Sequence, residues 1–370
     1  TQVNLVALGC TLGLAMSVLY LGAIGDRYGR KLLLILGIGL TVPLSFLCAY
    51  APSANMLVAG RILIGIAAGL AYPTTLALIT ALWPGGPKRV AAIALWSGVS
   101  GGGAIIGPVI AGALLESFWW GSVFLIAVPP AVVAFVLVTW RVPAHVNEST
   151  DPVDHLSGVL SVAMIALLVL GLGTISAPGA LARAVILIVA ALLLAVVFAL
   201  RQSRVRIPLY PLEYARRQLF WVPAIAGMIV FGSLMGAMFI GQQYLQDVLG
   251  YSTLDAGLAV LPAAIGMMGI APLSARMVVS RGSRFTLLAG YACILPAFLL
   301  MLLGWQQGVS YPVIGLAYLL VGVGAGLALT PASRSLTSSV PVSQVGMASA
   351  TNDLQRDLGG SIMQAILGSL

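Results

Sequence analysis

The chain has 370 residues, of which 60% are hydrophobic and only 8% charged, with a formal net charge of +8 and a mean hydropathy of +1.06. That balance excludes a soluble enzyme, because no soluble domain of this size needs so much apolar residue for its core. Nucleic acid is excluded as the partner of the positive charge, since the basic residues sit in short clusters between apolar runs instead of along one polar face.

Apolar runs of roughly 20 residues, the length a helix needs to cross a bilayer, recur from end to end. Twelve spans are expected, over 3–23, 32–50, 55–82, 89–115, 119–140, 155–176, 180–200, 218–241, 254–275, 284–304, 311–332 and 345–368. Strands are not expected, because an open sheet in lipid leaves backbone groups unsatisfied. The loops alternate sharply in charge. One set carries Arg27, Arg30, Lys31, Lys88, Arg89, Arg141, Arg201, Arg204, Arg206, Arg216, Arg217, Arg276, Arg281, Arg284 and Arg334, and the other carries only Arg183. The positive-inside rule makes the first set cytoplasmic. Trp119, Trp120, Tyr251, Trp305 and Tyr311 then fall at the outer boundary, where amphipathic rings settle. The stretch from Arg141 to His155 reads as a solvated cytoplasmic linker holding His145, Glu148, Asp151 and Asp154. Cys10, Cys48 and Cys293 lie far apart inside apolar runs and read as small buried residues, with no metal-ligand spacing. Arg greatly outnumbers Lys, a bias that suggests a GC-rich bacterial genome.

The first turn between spans reads Gly22-Ala-Ile-Gly25-Asp26-Arg27-Tyr28-Gly29-Arg30-Lys31. Its glycines permit tight backbone geometry, Asp26 can face a helix N-terminus, and Arg30 and Lys31 can meet carboxylate or lipid phosphate. Within the third span, Gly60-Arg61-Ile-Leu-Ile64-Gly65 places a charge a turn or more below the outer surface. An unpaired charge there costs at least ~2.5 kcal/mol, so Arg61 needs a partner or must snorkel to the interface. The fourth span holds Gly101-Gly102-Gly103-Ala-Ile-Ile-Gly107-Pro108-Val-Ile-Ala111-Gly112. Glycines four apart allow another helix to approach, and Pro108 removes a backbone hydrogen bond and hinges the helix.

These three stretches resemble the signature loop, the intramembrane arginine motif and the exporter motif of the major facilitator superfamily. A worn second copy of the signature loop, Ala275-Arg276-Met-Val-Val-Ser-Arg281-Gly282-Ser-Arg284, follows the ninth span. The offset of eight spans leaves two extra ones, 155–176 and 180–200, between the halves. That arrangement, with Tyr244-Leu-Gln246-Asp247-Val-Leu-Gly250-Tyr-Ser252, resembles the fourteen-span drug:proton antiporter branch, with the first and last spans outside the sequence. Ile64 stands where the family commonly has a polar residue, and Ala111 where it more often has glycine.

The resemblance implies an all-α polytopic membrane protein of the major facilitator fold, in which two pseudo-symmetric six-helix bundles flank two extra spans. The expected domains are 1–140, 141–217 and 218–370. It implies gating by Asp26, Arg27, Gly29, Arg30, Lys31, Gly103, Gly107, Pro108 and Gly112. The last span carries Asn352-Asp353-Leu-Gln355-Arg356-Asp357, whose polar members fall within an arc of about 140°. Asp353, Arg356 and Asp357, with Arg61, are the candidates for proton coupling, and a structural ion pair is the competing reading of the same residues. Tyr72, Trp96, Phe231, Met235, Met238, Phe239 and Asn352 are cavity candidates, although each also suits plain packing. The expected function is export of amphipathic or cationic compounds in exchange for protons by alternating access, in the inner membrane of a bacterium. A lipid or cell-envelope exporter of the same fold, or a non-transporting sensor, are the alternatives. No enzyme activity, cofactor beyond the proton gradient, metal or nucleic acid is expected. Its partners are small-molecule substrates, protons and membrane lipids, and a monomer is expected.

Overall fold

The computed structural model describes residues 2–83, 85–143, 152–175 and 179–368. Among them there are helices and turns and no strands, as lipid demands of a backbone that must satisfy its own hydrogen bonds. His145, Glu148 and Asp151 lie outside the described residues.

Two compact units form from segments far apart in the chain. The first comprises Thr1–Leu82, Trp120–Val222 and Leu336–Leu370, and the second Trp83–Trp119 and Pro223–Ser335. Each unit therefore interleaves pieces of the expected N- and C-terminal bundles.

In the first unit, α1 (Gln2–Tyr28) packs on α3 (Ala54–Leu82), α7 (His155–Thr174) and α14 (Val345–Gly368). Helix α2 (Arg30–Ala49) lies against α3, and it also meets the short α5 (Ser122–Leu125) and α6 (Val128–Arg141). The α1–α3 crossing is close because Gly13 and Gly65 face each other. A Cβ on Gly13 would overlap the Ile62 carbonyl, and one on Gly65 the Cys10 carbonyl. Lipid offers no hydrophobic drive for helix association, so contact this tight supplies the dispersion that holds the pair. Leu12, Val18, Leu19, Ile165 and Val169 form the apolar core beside it.

Helices α7 and α8 (Leu181–Gln202) cover the two spans expected to be extra and form a hairpin. The short α9 (Leu212–Ala215) follows. Asp154, read from sequence as a solvated loop residue, is instead the N-cap of α7. Its carboxylate accepts from the Ser157 amide at 3.2 Å, the Ser157 hydroxyl at 2.6 Å and Arg201 Nη2 at 2.9 Å. Gln202 donates to Ser157 and accepts from the Tyr210 amide, so one clasp closes the hairpin and anchors the chain beyond it. Burial pushes the Asp154 carboxyl up, but the Arg201 and Ser157 donors together outweigh it and hold it below the usual carboxylate range. A group whose folded pKa is depressed stabilises the fold above its unfolded pKa, and that contribution fades as pH falls through the folded value. Asp154→Ala is expected to cost about 1 kcal/mol at neutral pH, seen as a lower thermal midpoint in detergent. The gap from wild type should close in acid, and an equal gap at both pH values would remove the clasp from the stability of the hairpin.

The second unit gathers α4 (Gly86–Ser117), α11 (Thr253–Ala259), α12 (Leu261–Gly304) and most of α10 (Gln218–Gln243) and α13 (Tyr311–Ser338). Helix α12 contains most of the ninth expected span, which begins in α11, and all of the tenth. They meet at Gly282, whose φ of 86° and ψ of 167° break the helix between them. Ile105, Val230, Leu234, Met267, Ile294 and Tyr318 build its core. Trp305, expected at the outer boundary, stacks on Tyr244 with centroids 5.0 Å apart and tilts against Tyr318.

Large apolar side chains are exposed all over both units: Ile186 is 68% exposed, Leu219 72% and Leu302 77%. Polar residues are buried instead, among them Asp26, Arg30, Asn352, Asp353 and Arg356. That inversion suits a chain whose outside faces lipid. Among the described residues, ten helical stretches are long and apolar enough to cross a membrane. Helix α14 is the exception, because its charges lower its hydropathy while burial against α1, α3 and α7 shields them.

Candidate functional site

The signature turn folds into a latch. Gly29 alone separates α1 from α2, at φ 113° and ψ 122°, a conformation that strains any residue with a Cβ. The sharp reversal sets Asp26, in the last turn of α1, against Arg30 at the start of α2. Asp26 Oδ1 accepts from Arg30 Nη2 at 2.8 Å and Nε at 3.1 Å. The same oxygen accepts from the Gly346 amide at 3.1 Å, and the Met347 amide adds a further bond to the carboxylate. These amides belong to the first turn of α14, where N–H groups have no partner within the helix and the macrodipole favours an anion. Arg30 Nη2 also donates to the Val342 carbonyl at 3.0 Å, just ahead of that helix. Asp26 is 6% and Arg30 2% exposed, so the pair is held in low dielectric, and both partners remain saturated with hydrogen bonds. Lys31 points elsewhere and donates to the Thr139 carbonyl of α6 at 3.0 Å. Arg27 lines a pocket beside the latch with Asp26, Asp154 and Met347.

Gly346 is the piece that sequence reading missed. A Cβ there would overlap the Asp26 carboxylate, so only glycine lets the helix end meet the acid. Gly346 and Val342 act through backbone groups, which leave little trace in side-chain chemistry; the signal available was Pro341 followed by a new helix start.

Helix α14 carries the second cluster of polar groups. Leu354 and Leu358 pack on the apolar core with α1 and α7, and the opposite stripe of Asn352, Asp353 and Arg356 is buried, with Asp357 partly so. Asn352 donates to Asp353 Oδ1 at 3.3 Å and accepts from Gln355 at 3.1 Å. Arg356 lies within electrostatic reach of Asp353, Asp357 and Tyr72 of α3. Oδ2 of Asp353 and Oδ2 of Asp357 are buried with no hydrogen-bond partner. Cys10 of α1 feels both Asp357 and Arg61. Arg61 Nε donates to the Val6 carbonyl at 3.2 Å, and its guanidinium lies 5.8 Å from the centroid of the Phe124 ring. The first unit therefore brings together Tyr72, Asn352, Asp353, Arg356 and Asp357, with Arg61 near their edge.

The remaining candidates belong to the second unit. Pro108 stands inside α4. The close approach of α12 falls at Gly98, Gly101 and Gly102, where a Cβ would press on Ala271, Met267 and Met268 respectively. Gly103 and Gly107 meet nothing within 4 Å, and a Cβ on Gly112 would touch Thr253 and Leu254 at 3.8–4.0 Å. On α10, Met238 is buried in the core, and Phe231 and Met235 pack against that core. Phe239 and Trp96, on α10 and α4, are partly buried.

The Major Facilitator Superfamily profile matches residues 1–363. The multidrug efflux pump LfrA of Mycolicibacterium smegmatis is 32% identical over 360 residues, covering 97% of this chain and 71% of that protein. The methyl viologen resistance protein SmvA of Salmonella typhimurium is 32% identical over 363 residues, covering 97% and 73%. Among solved structures, the human organic anion transporter MFSD10 (TETRAN) shares the fold, with a TM-score of 0.69 at 19% identity over 99% of this chain and 77% of that one. With the whole-length profile match and the relatives at this level, the chain belongs to the major facilitator superfamily.

Proposed function

We propose that the chain is a drug exporter of a bacterial inner membrane, driven by proton exchange, and that the buried acids of α14 couple the two fluxes. Similarity to multidrug efflux and methyl viologen resistance proteins supports export of drugs, with amphipathic cations as the cargo class. The observation that carries the coupling is the stoichiometry of charge around Arg356. Two carboxylates, Asp353 and Asp357, face one guanidinium, and each keeps an oxygen without a donor. With all three ionised this trio carries one net negative charge, which is costly where it is buried. A proton or a cationic substrate neutralises it equally well, so the two exclude each other and exchange as access alternates. Tyr72 of α3 and Cys10 of α1 are the other titratable groups facing the site, and Arg61 of α3 reaches Cys10 at its edge.

The Asp26–Gly346 contact supplies the gate. It ties α1 and α2 to α14, the helix that carries the acids, on the side marked cytoplasmic by the basic loops. Opening that side requires the carboxylate to leave the helix N-terminus.

The test is reconstitution in liposomes with an imposed pH gradient and a permanently cationic dye. Dye should move against its own gradient when protons flow the opposite way, and dye addition should release protons across the membrane. Dye movement indifferent to the pH gradient would refute proton coupling, and no movement of any of a panel of cationic dyes would refute the cargo class.

A further inference from the structure

A groove lies on the second unit, which contains neither the latch nor the α14 acids. Helices α4 and α12 border this groove of about 560 Å³, lined by the small residues Ala91, Ala271 and Ala275. Val90, Ala94 and Val278 seal the contact beneath it. Leu95, Met268 and Val279 form the walls and are 65%, 41% and 50% exposed. The groove runs from Pro87 to Leu95 on one helix and from Met268 to Val279 on the other. At 1.5 Å per residue that is about 12–16 Å along the axis, roughly the depth of one leaflet of hydrocarbon.

One end of the groove is cationic. Arg276 lines it, exposed, and its guanidinium has no partner among the described residues. Lys88 is exposed beside Pro87. Arg89 and Arg334 lie close enough to feel each other's charge on the same unit. Neither helix of the groove sets an acid beside Arg276 or Lys88. Helix α12 has no Asp or Glu along its 44 residues, and the sole acid of α4 is Glu116, near its far end. From Lys88 that carboxylate is about 42 Å away along the helix, several Debye lengths at physiological salt.

We propose that this groove binds one anionic phospholipid of the leaflet on the side of the basic loops, with an acyl chain along Ala91, Leu95 and Ala275 and the headgroup phosphate on Arg276. A slot this long and apolar suits an acyl chain, and a free phosphate would leave its apolar length unfilled. The cationic end disfavours the cationic cargo proposed for the acids of α14, so the groove is not a second seat for the same ligand. The observation is independent of the transport reading, and its test requires no transport.

The experiment is native mass spectrometry of the full chain released from detergent after equilibration with equal amounts of phosphatidylglycerol and phosphatidylcholine. Wild type should retain one phosphatidylglycerol in preference to phosphatidylcholine. Arg276→Gln should weaken that retention about fivefold, the effect of one basic residue at a membrane surface, and Arg276→Lys should restore most of it. Ala91→Trp, which fills the slot while leaving every charge in place, should lower retention as well. Leu95→Trp serves where Ala91→Trp does not fold, as judged by its thermal midpoint. Equal retention of the two lipids by wild type, or unchanged preference in Arg276→Gln or in the folded Trp variant, would overturn the proposal.

Discussion

Replacing Asp26 by Asn is expected to lower efflux about tenfold or more at equal membrane abundance, with insertion intact. Breaking a buried ion pair by removing one partner costs about 3–5 kcal/mol, because the remaining charge stays desolvated. Here the remaining charge is Arg30, 2% exposed. A loss of that size in one conformer alone shifts the balance between conformers by about a hundredfold or more, enough to leave the latched state scarcely visited. Gly346→Ala separates the acid's two roles. It leaves Asp26 and Arg30 chemically intact, yet its Cβ would force the carboxylate off the first turn of α14. The two variants should therefore fail alike if the helix N-terminus is the partner that matters. Normal efflux from both would refute the gate, and failure of Asp26→Asn with normal efflux from Gly346→Ala would reduce the contact to a local ion pair.

The latch shows where sequence reading works and where it stops. Asp26, Gly29 and Arg30 were legible because their chemistry is in the side chain or, for glycine, in its absence: a tight reversal, an anion and a cation four residues apart. Their partners were not, because Gly346 and Val342 contribute an amide and a carbonyl that every residue possesses, over 300 positions away. Helix spans were legible for a related reason. Apolar length is a local property, and only burial in lipid makes so much of it tolerable. The interruption between α11 and α12 was not visible, since hydropathy does not report a break inside a span, whereas the break at Gly282 falls in the loop expected between the ninth and tenth spans.

Asp154 illustrates a readable signal given the wrong weight. An acid directly before an apolar run, with Ser157 three residues later, is an N-terminal capping pattern. The surrounding polar linker suggested solvent instead, and the donors from Arg201 and Ser157 overturn that reading. The glycines of α4 divide differently. Their motif marks the helix as one built for close packing, but the face that meets α12 is set by the rotation of α4 in its unit. Contact accordingly falls on Gly98, Gly101 and Gly102. In α14 the periodicity was sufficient: Leu354 and Leu358 turn to the apolar core, and the polar stripe turns to Tyr72 and Cys10.

Asp357→Asn and Asp353→Asn, made separately, should each reduce pH-gradient-driven transport at least about tenfold, and they discriminate a coupling site from a structural one. Neutralising one acid leaves Arg356 with a single carboxylate, so the site is balanced in charge without a proton. Nothing is then gained by taking up a proton or by exchanging it for a cation. Exchange of labelled for unlabelled dye across the membrane, with no pH gradient, needs only binding and the conformational cycle. In the variant of the acid that carries the coupling, that exchange should persist while uphill transport is lost, and its rate should no longer vary with pH. A purely structural ion pair predicts a different pattern. Both transport modes would then decline together with the thermal midpoint, because Arg356 would be left buried with weaker compensation. Loss of both modes in both variants, or uphill transport at the wild-type rate in both, would remove the α14 acids from the coupling mechanism.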